Sequence, residues 1–156
     1  MLPIKKILCP VDFSEFSFRA LAQATELATH FKAELFVLHV TQPIETIYQL
    51  GLYAGTPSWD IQGYERELRQ GAERELVQLL EAEQFRRLEV HPLLRAGLPA
   101  DQIVEAAHAV EADLLVISTH GLGGWHHLLF GSVAEKVIRM ARCPVLISRV
   151  PVPEEA

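Results

Sequence analysis

Apolar residues in this chain alternate between two spacings, and this alternation limits the possible folds more than any other feature. Short continuous apolar runs, typical of buried strands, are followed by stretches in which apolar residues recur every three or four positions, as in amphipathic helices. Strands joined through helices pair in parallel within one sheet. The sequence therefore predicts an α/β protein with a five-stranded parallel sheet, doubly wound, with helices on both faces. The predicted strands are 4–11, 35–40, 88–96, 114–117 and 145–150, and the predicted helices are 14–31, 60–85, 99–111 and 132–142.

Local signals add detail to this fold. Ser14 is a suitable N-cap for the first helix, and Pro92 indicates that the third strand lies at a sheet edge. The run Leu114–Ile117 is typical of a strand covered on both faces. Helical spacing predicts that the inward side chains are Leu21, Ala24, Ala28 and Phe31 in the first helix, and Ile61, Tyr64, Leu68, Ala72, Leu76 and Leu79 in the second.

The chain has the length of one domain, which we assign to residues 1–150, followed by a tail at 151–156. Residues 41–59 form a long predicted loop, and loops of this length often serve a function. No apolar run approaches the roughly 20 residues of a membrane-spanning helix, so we expect a cytoplasmic protein. Two cysteines are too few for a disulfide scaffold. Cys9 and Cys143 are expected at opposite ends of the sheet, unpaired, as small buried apolar residues.

The charge balance excludes two classes of partner. The chain has 14 Lys and Arg against 20 Asp and Glu, a formal net charge of −6, and it has no basic run. A surface of this kind is unsuited to a nucleic-acid backbone or an anionic membrane. We therefore expect no nucleic acid and no membrane as partners.

A glycine-rich segment follows the fourth predicted strand. In sheets of this type ligands bind outside the carboxyl ends of the strands, where the strand order reverses. Gly121, Gly123 and Gly124 let the backbone approach a ligand closely, and the pair Gly131-Ser132 opens a helix whose N–H groups favour an anion. The pattern allows either phosphate binding or an ordinary turn in which Ser132 and Glu135 form a capping box.

These segments resemble the universal stress protein family over nearly the whole chain. Gly121 and Gly131-Ser132, separated by nine residues, match the later half of that family's ATP-binding signature. The resemblance also covers the opening 7–14, the segment 38–40, the run 132–137 and the close 143–147. It implies a Rossmann-like, adenine nucleotide alpha hydrolase-like fold with an adenine nucleotide between the ends of strands one and four.

The resemblance also implies roles for individual residues. Asp12 would contact the ribose and the Val40 backbone would bind adenine. The phosphates would be bound by Gly121, Gly131, Ser132 and Val133. The first glycine of the signature is Ser118 here, and Leu122 stands where relatives often have Arg. The candidate nucleotide-binding residues are Pro10, Val11, Asp12, Val40, Ser118, His120, Gly121, Gly124, Gly131, Ser132 and Val133.

No Lys or Arg occurs from 120 to 133, so backbone N–H groups and a Mg²⁺ or Mn²⁺ ion are expected to neutralise the phosphates of ATP, ADP or AMP. We expect micromolar affinity at best, about −8 kcal/mol. His120, His126 and His127 lack a typical zinc-site pattern, and the residues that would bind a metal are not identified. His39 and His120 are expected at the pocket mouth.

The resemblance and the missing motifs together suggest a sensor rather than a fast catalyst. No nucleophile elbow is present. Neither a Lys or Arg at the phosphates nor a positioned base is evident, so any ATP hydrolysis should be slow. We predict an adenine-nucleotide-binding stress-response protein, with a dimeric interaction module that no longer binds nucleotide, or a slow ATPase, as the alternatives. Asp12 has an alternative role as a helix-capping carboxylate. The family pairs its final strand with that of a second subunit, which predicts a homodimer through Val145 to Val152 with Val150 and Val152 in the contact.

Overall fold

The computed structural model describes residues 3–43, 60–119 and 131–149, which contain five strands and four α-helices. A short 3₁₀ turn, Glu83–Phe85, precedes the third strand. In chain order the elements are β1 (Lys6–Pro10), α1 (Glu15–Phe31), β2 (Glu34–Thr41), α2 (Ile61–Leu80), β3 (Val90–Ala96), α3 (Pro99–Ala109), β4 (Leu114–Ser118), α4 (Ser132–Met140) and β5 (Val145–Ser148).

All four strand pairs are parallel, in the order β3-β2-β1-β4-β5, which confirms the predicted fold class. The chain winds outward from β1 in both directions, so the strand order reverses between β1 and β4. Pro92 lies on an edge strand, as predicted. Because Leu35 N–H donates to the Glu89 carbonyl, alternation along β3 directs the Pro92 nitrogen to the open edge, where no ladder bond is lost.

Two buried clusters lie on opposite faces of the sheet. Leu21 of α1 and Leu76 of α2 pack with Val116 in one cluster. Ile103 of α3 and Val137 of α4 pack with Leu115 in the other. Successive residues of β4 thus belong to different clusters, and four of its five residues are buried. The prediction that this strand is covered on both faces is confirmed.

The helix boundaries show where local signals compete. Ser14 is the N-cap of α1, as predicted, and its side chain accepts a hydrogen bond from the Ser17 N–H. Three predicted helices continue too far: α2 ends at Leu80 instead of 85, α3 at Ala109 instead of 111, and α4 at Met140 instead of 142. Glu111 adopts a left-handed φ of 55°, and Ala141 is extended, with ψ of 140°. Neither conformation continues a helix.

The predicted inward face of α2 is wrong at Tyr64 and Leu68. Ala72 and Leu76 are buried, but Tyr64 is 40% exposed and Leu68 is 41% exposed. Twenty helical residues span about 30 Å, whereas the seven residues of the neighbouring edge strand β3 span about 23 Å. The helix is longer than the strand it covers, so its first turns lack a sheet surface to pack on. Within the described ranges, no helix combines the length and apolarity that crossing a membrane requires.

Candidate functional site

Hydrogen bonds of the Asp12 side chain and of the Asp12 N–H stabilise the turn between β1 and α1. Asp12 Oδ1 accepts from the N–H and the hydroxyl of Ser14, at 3.1 and 2.5 Å, and the Asp12 N–H donates to Ser17 Oγ at 3.3 Å. The carboxylate therefore orients the N-cap of α1, which is the alternative role considered for it. The half-buried Asp12 lies directly after β1, at the carboxyl edge of the sheet. Its ribose role stays a prediction.

Phe13 has an unusual backbone conformation at this turn. Its φ of 60° lies in the left-handed region, which costs a non-glycine residue roughly 1–2 kcal/mol. The Phe13 ring packs on the His39 ring with centroids 4.5 Å apart, and His39 Nδ1 lies 2.8 Å from the Val11 carbonyl oxygen. Contacts from β2 thus maintain a strained turn, as occurs at ligand sites. Sequence reasoning missed Phe13, because nothing local marks a phenylalanine for positive φ.

Val40 lies past the end of the β1–β2 ladder. Pro10 pairs with Leu38, and the Val11 N–H donates to the Leu38 carbonyl at 2.8 Å. Alternate residues of β2 direct their backbone groups to β1, so the N–H and carbonyl of Val40 point to that side beyond the last pair. The Val11 carbonyl, which could have continued the ladder, bonds to His39 instead. This arrangement leaves an extended backbone edge beside the β1–α1 turn.

The carboxyl end of β4 is tied to both β5 and the start of α4. Ser118 pairs with Ser148, and the buried Thr119 donates its N–H to the Ser148 carbonyl at 3.2 Å. The Thr119 carbonyl accepts from the Gly131 N–H at 2.7 Å. Residues 119 and 131 are therefore in direct contact. This bond anchors the start of α4 at the end of β4, next to the point where the strand order reverses.

Among the described residues, no side chain caps the first turn of α4. Gly131 is the N-cap, and the capping box considered for Ser132 is wrong because Ser132 is already the first helical residue. The first N–H groups of a helix lack partners within it, and they carry its positive dipole end. Ser132 is exposed and Val133 is half-buried. Their N–H groups can therefore bind an anion.

The structure brings eight of the predicted site residues to the carboxyl edge of the sheet, although Val11 and Gly131 already use their N–H groups. Pro10 and Val11 are buried, so neither offers its side chain to a ligand. The eight are Pro10 at the end of β1, Val11 and Asp12 after it, Val40 near the end of β2, Ser118 at the end of β4, and Gly131, Ser132 and Val133 at α4. Outside the described residues lie His120, Gly121, Leu122, Gly123, Gly124, His126, His127, Val150, Val152, the tail 151–156 and most of the predicted loop, 44–59.

Neither cysteine has the environment of a nucleophile. Both are free thiols, as predicted, and Cys9 is fully buried, while Cys143 is only half-buried, less than expected. Burial raises the pKa of the Cys9 thiol far above its usual value. Burial also raises the pKa of Cys143, and the Asp113 carboxylate adds to this effect. Thiolate chemistry is therefore disfavoured at both positions.

The strand order, with its reversal between β1 and β4 beside the start of α4, defines a doubly wound α/β protein. The chain matches the model of the universal stress protein family over residues 3–149. It belongs to that family. It is 33% identical over 150 residues to Universal stress protein MJ0531 of Methanocaldococcus jannaschii, with 94% of this chain and 83% of the relative covered.

Solved structures of relatives have the same architecture. The structure of hypothetical protein MJ0577 superposes with a TM-score of 0.77 at 25% identity, covering 96% of this chain and 98% of that one. A universal stress protein in complex with cAMP gives a TM-score of 0.61 at 26% identity, covering 94% and 97%. The universal stress protein of Archaeoglobus fulgidus in complex with dAMP gives 0.60 at 26% identity, covering 94% and 98%. Adenine nucleotides thus occur in complexes of structurally similar relatives.

Proposed function

We propose that this protein binds an adenine nucleotide at the carboxyl edge of its sheet and acts as a regulatory or sensor protein in a stress response. The observation that carries the proposal is the first turn of α4, which no side chain of the described residues caps and which the bond from Gly131 to Thr119 anchors at the end of β4. This turn offers N–H groups to a polyanion at the point where the strand order reverses. The cAMP and dAMP complexes of relatives support an adenine nucleotide as the ligand.

In this proposal, the phosphates, the ribose and the adenine each contact a different group of the protein. The amides of Ser132 and Val133 bind the phosphates, together with the sequence-predicted Gly121, Gly124 and His120. The Asp12 carboxylate binds the ribose and the backbone of Val40 binds the adenine edge. Ser118 borders the site at the end of β4, where its side chain replaces a signature glycine. The N–H groups of Val11 and Gly131 have backbone partners, so both residues shape the site without donating through those groups.

Neutralising the charge of the phosphates requires a cation in addition to the backbone amides. No Lys or Arg occurs between 120 and 133. Helix-terminal amides contribute about 0.3–1 kcal/mol toward an anion, which is small for a triphosphate. A divalent ion held by the phosphates, Mg²⁺ or Mn²⁺, therefore belongs to the proposal. The slow hydrolysis considered for ATP would follow from the same lack of cationic side chains.

Calorimetry with and without a chelator tests this proposal. We expect ATP to bind with a dissociation constant in the micromolar range in excess Mg²⁺, and at least tenfold more weakly after EDTA is added. Mass spectrometry of the undenatured protein is expected to show co-purifying ATP, ADP or AMP. Equal affinity with and without EDTA would reject the metal requirement. No binding of any adenine nucleotide would favour the alternative, an interaction module without a ligand.

We also propose a homodimer through β5, and the two sheet edges support this choice. The β3 edge has Pro92 and therefore lacks a donor there. In β5, the bonds from Leu115 to the Pro144 carbonyl and from Thr119 to the Ser148 carbonyl direct the backbone groups of Val145 and Ile147 away from β4. An apolar edge of this kind is usually paired or covered.

Light scattering at micromolar concentration is expected to give the mass of two chains. Lysines at both Val150 and Val152 should produce a monomer, because two charges would enter the predicted contact. Val77→Lys is the matched control, since Val77 is 46% exposed on α2 and lies far from this edge in the fold. A monomeric unsubstituted protein, or a dimer disrupted by the Val77 change alone, would overturn the β5 assignment.

A further inference from the structure

Glu34, Glu89 and His91 form a cluster at the amino ends of β2 and β3, at the end of the sheet opposite the candidate nucleotide site. Glu34 begins β2, and Glu89 and His91 flank Val90, the first residue of β3. Leu35 pairs with Val90 and Phe36 with His91. Because side chains alternate along paired strands, the three cluster side chains share one face of the sheet.

The imidazole nitrogen of His91 lies between the two carboxylates. His91 Nε2 is 3.2 Å from Glu34 Oε2 and 3.6 Å from Glu89 Oε1, and the three ligand atoms lie within 4.8 Å of one another. The His91 side chain is 38% exposed, yet its Nε2 atom is shielded from solvent and forms no hydrogen bond with any described residue. The Phe36 ring stacks on the imidazole at 4.7 Å and 22°, which limits rotation of the ring.

The charges of the cluster favour a cation between these atoms. Like charges on adjacent paired strands destabilise a sheet, and the whole chain already has a net charge of −6. Within the described part of the chain, neither Glu34 nor Glu89 forms an ion pair with Lys or Arg. A cation coordinated by all three side chains would relieve the repulsion and would also bond the shielded nitrogen, which contacts the two carboxylates without a hydrogen bond.

We propose that Glu34, Glu89 and His91 bind a zinc ion through one nitrogen and two carboxylate oxygens. In a tetrahedral zinc site with bonds of about 2.0–2.2 Å, the ligand atoms lie about 3.3–3.6 Å apart. Here the two nitrogen–oxygen distances are 3.2 and 3.6 Å, and all three atoms lie within 4.8 Å of one another. An imidazole ligand favours Zn²⁺ over Mg²⁺, which prefers six oxygen ligands. The Glu89 side chain is 69% exposed, so water can reach the cluster and supply the fourth ligand.

Zinc titration of chelator-treated protein against a chromophoric chelator tests the site. We expect one high-affinity Zn²⁺ per chain, and at least tenfold weaker binding in both His91→Gln and Glu89→Gln. Cobalt substitution should give the intense visible absorption of a tetrahedral site in the unsubstituted protein, and His91→Gln should lose it. Glu89 is exposed, so Glu89→Gln keeps the test valid if His91→Gln fails to fold.

Matched substitutions outside the cluster are expected to leave zinc binding unchanged. His108→Gln removes an exposed imidazole from α3, and Glu83→Gln removes an exposed carboxylate near β3. A variant that combines His120→Gln, His126→Gln and His127→Gln tests the loop histidines. The proposal is overturned if His91→Gln binds zinc normally or if only the loop variant loses it. It does not depend on the nucleotide proposal, because a variant with a defective phosphate site should still bind zinc.

Discussion

Replacing Ser132 with glutamate is expected to weaken ATP binding about 100-fold without weakening the fold. Ser132 is exposed and begins α4. A carboxylate about 4 Å from a phosphate near a protein surface raises the energy of the complex by up to about 4 kcal/mol per charge pair, and each 1.4 kcal/mol is a factor of ten. The same carboxylate interacts favourably with the dipole of α4, by about 0.3–1 kcal/mol. The affinity for ATP should therefore fall, while the stability of the fold should rise slightly.

Calorimetry with Mg-ATP and thermal denaturation of each variant separate these two effects. Gln23→Glu adds the same charge at an exposed position of α1, on the other face of the sheet, and should leave affinity unchanged. Ser132→Ala removes the hydroxyl without adding charge, and should change affinity only a few-fold because the backbone N–H remains. Unchanged affinity in Ser132→Glu would mean that the phosphates do not contact the first turn of α4.

Leu115→Ala is expected to have the largest effect on stability, lowering the free energy of unfolding by about 3–4 kcal/mol. Leu115 is fully buried in β4 and belongs to the cluster under α3 and α4. The truncation removes buried apolar surface and leaves a cavity in a central strand, where the backbone cannot move to fill it. For a domain of this size, the expected decrease in the melting temperature is roughly 6–15 °C.

The same truncation on α2 is the matched control. Leu68 is 41% exposed, so Leu68→Ala should lower the free energy of unfolding by less than about 0.5 kcal/mol. Chemical denaturation of both variants, with equal slopes against denaturant concentration, measures the difference. Equal losses in the two variants would contradict the placement of Leu68 on the surface, and would restore the inward face that helical spacing predicts.

Helical spacing failed at Tyr64 and Leu68 for a reason that lies outside the helix. Periodicity identifies the apolar stripe of α2, but the length of the neighbouring strand limits how much of that stripe packs on the sheet. The capping box at Ser132 failed in a similar way. Local spacing allows Ser132 to cap the helix, whereas the bond from Gly131 to Thr119 starts the helix one residue earlier than that cap requires.

The cluster of Glu34, Glu89 and His91 shows the same limit of sequence reasoning. Glu89 and His91 are separated by one residue, which would place both side chains on one face of a strand, and this spacing is visible in the sequence. Glu34 is 55 residues before Glu89, and no spacing rule links them. Only the pairing of Leu35 with Val90 brings the third ligand to the other two.

Strand and helix order, the edge position of Pro92, the double coverage of β4 and the N-cap at Ser14 could all be predicted from the chain alone. Each depends on contacts between near neighbours or on apolar periodicity, which a linear pattern records directly. The positive φ of Phe13, the position of Val40 beyond the β1 ladder and the three-residue metal cluster needed the folded chain. These features depend on which strands pair and in what register, and the buried core sets that pairing through contacts between residues far apart in sequence.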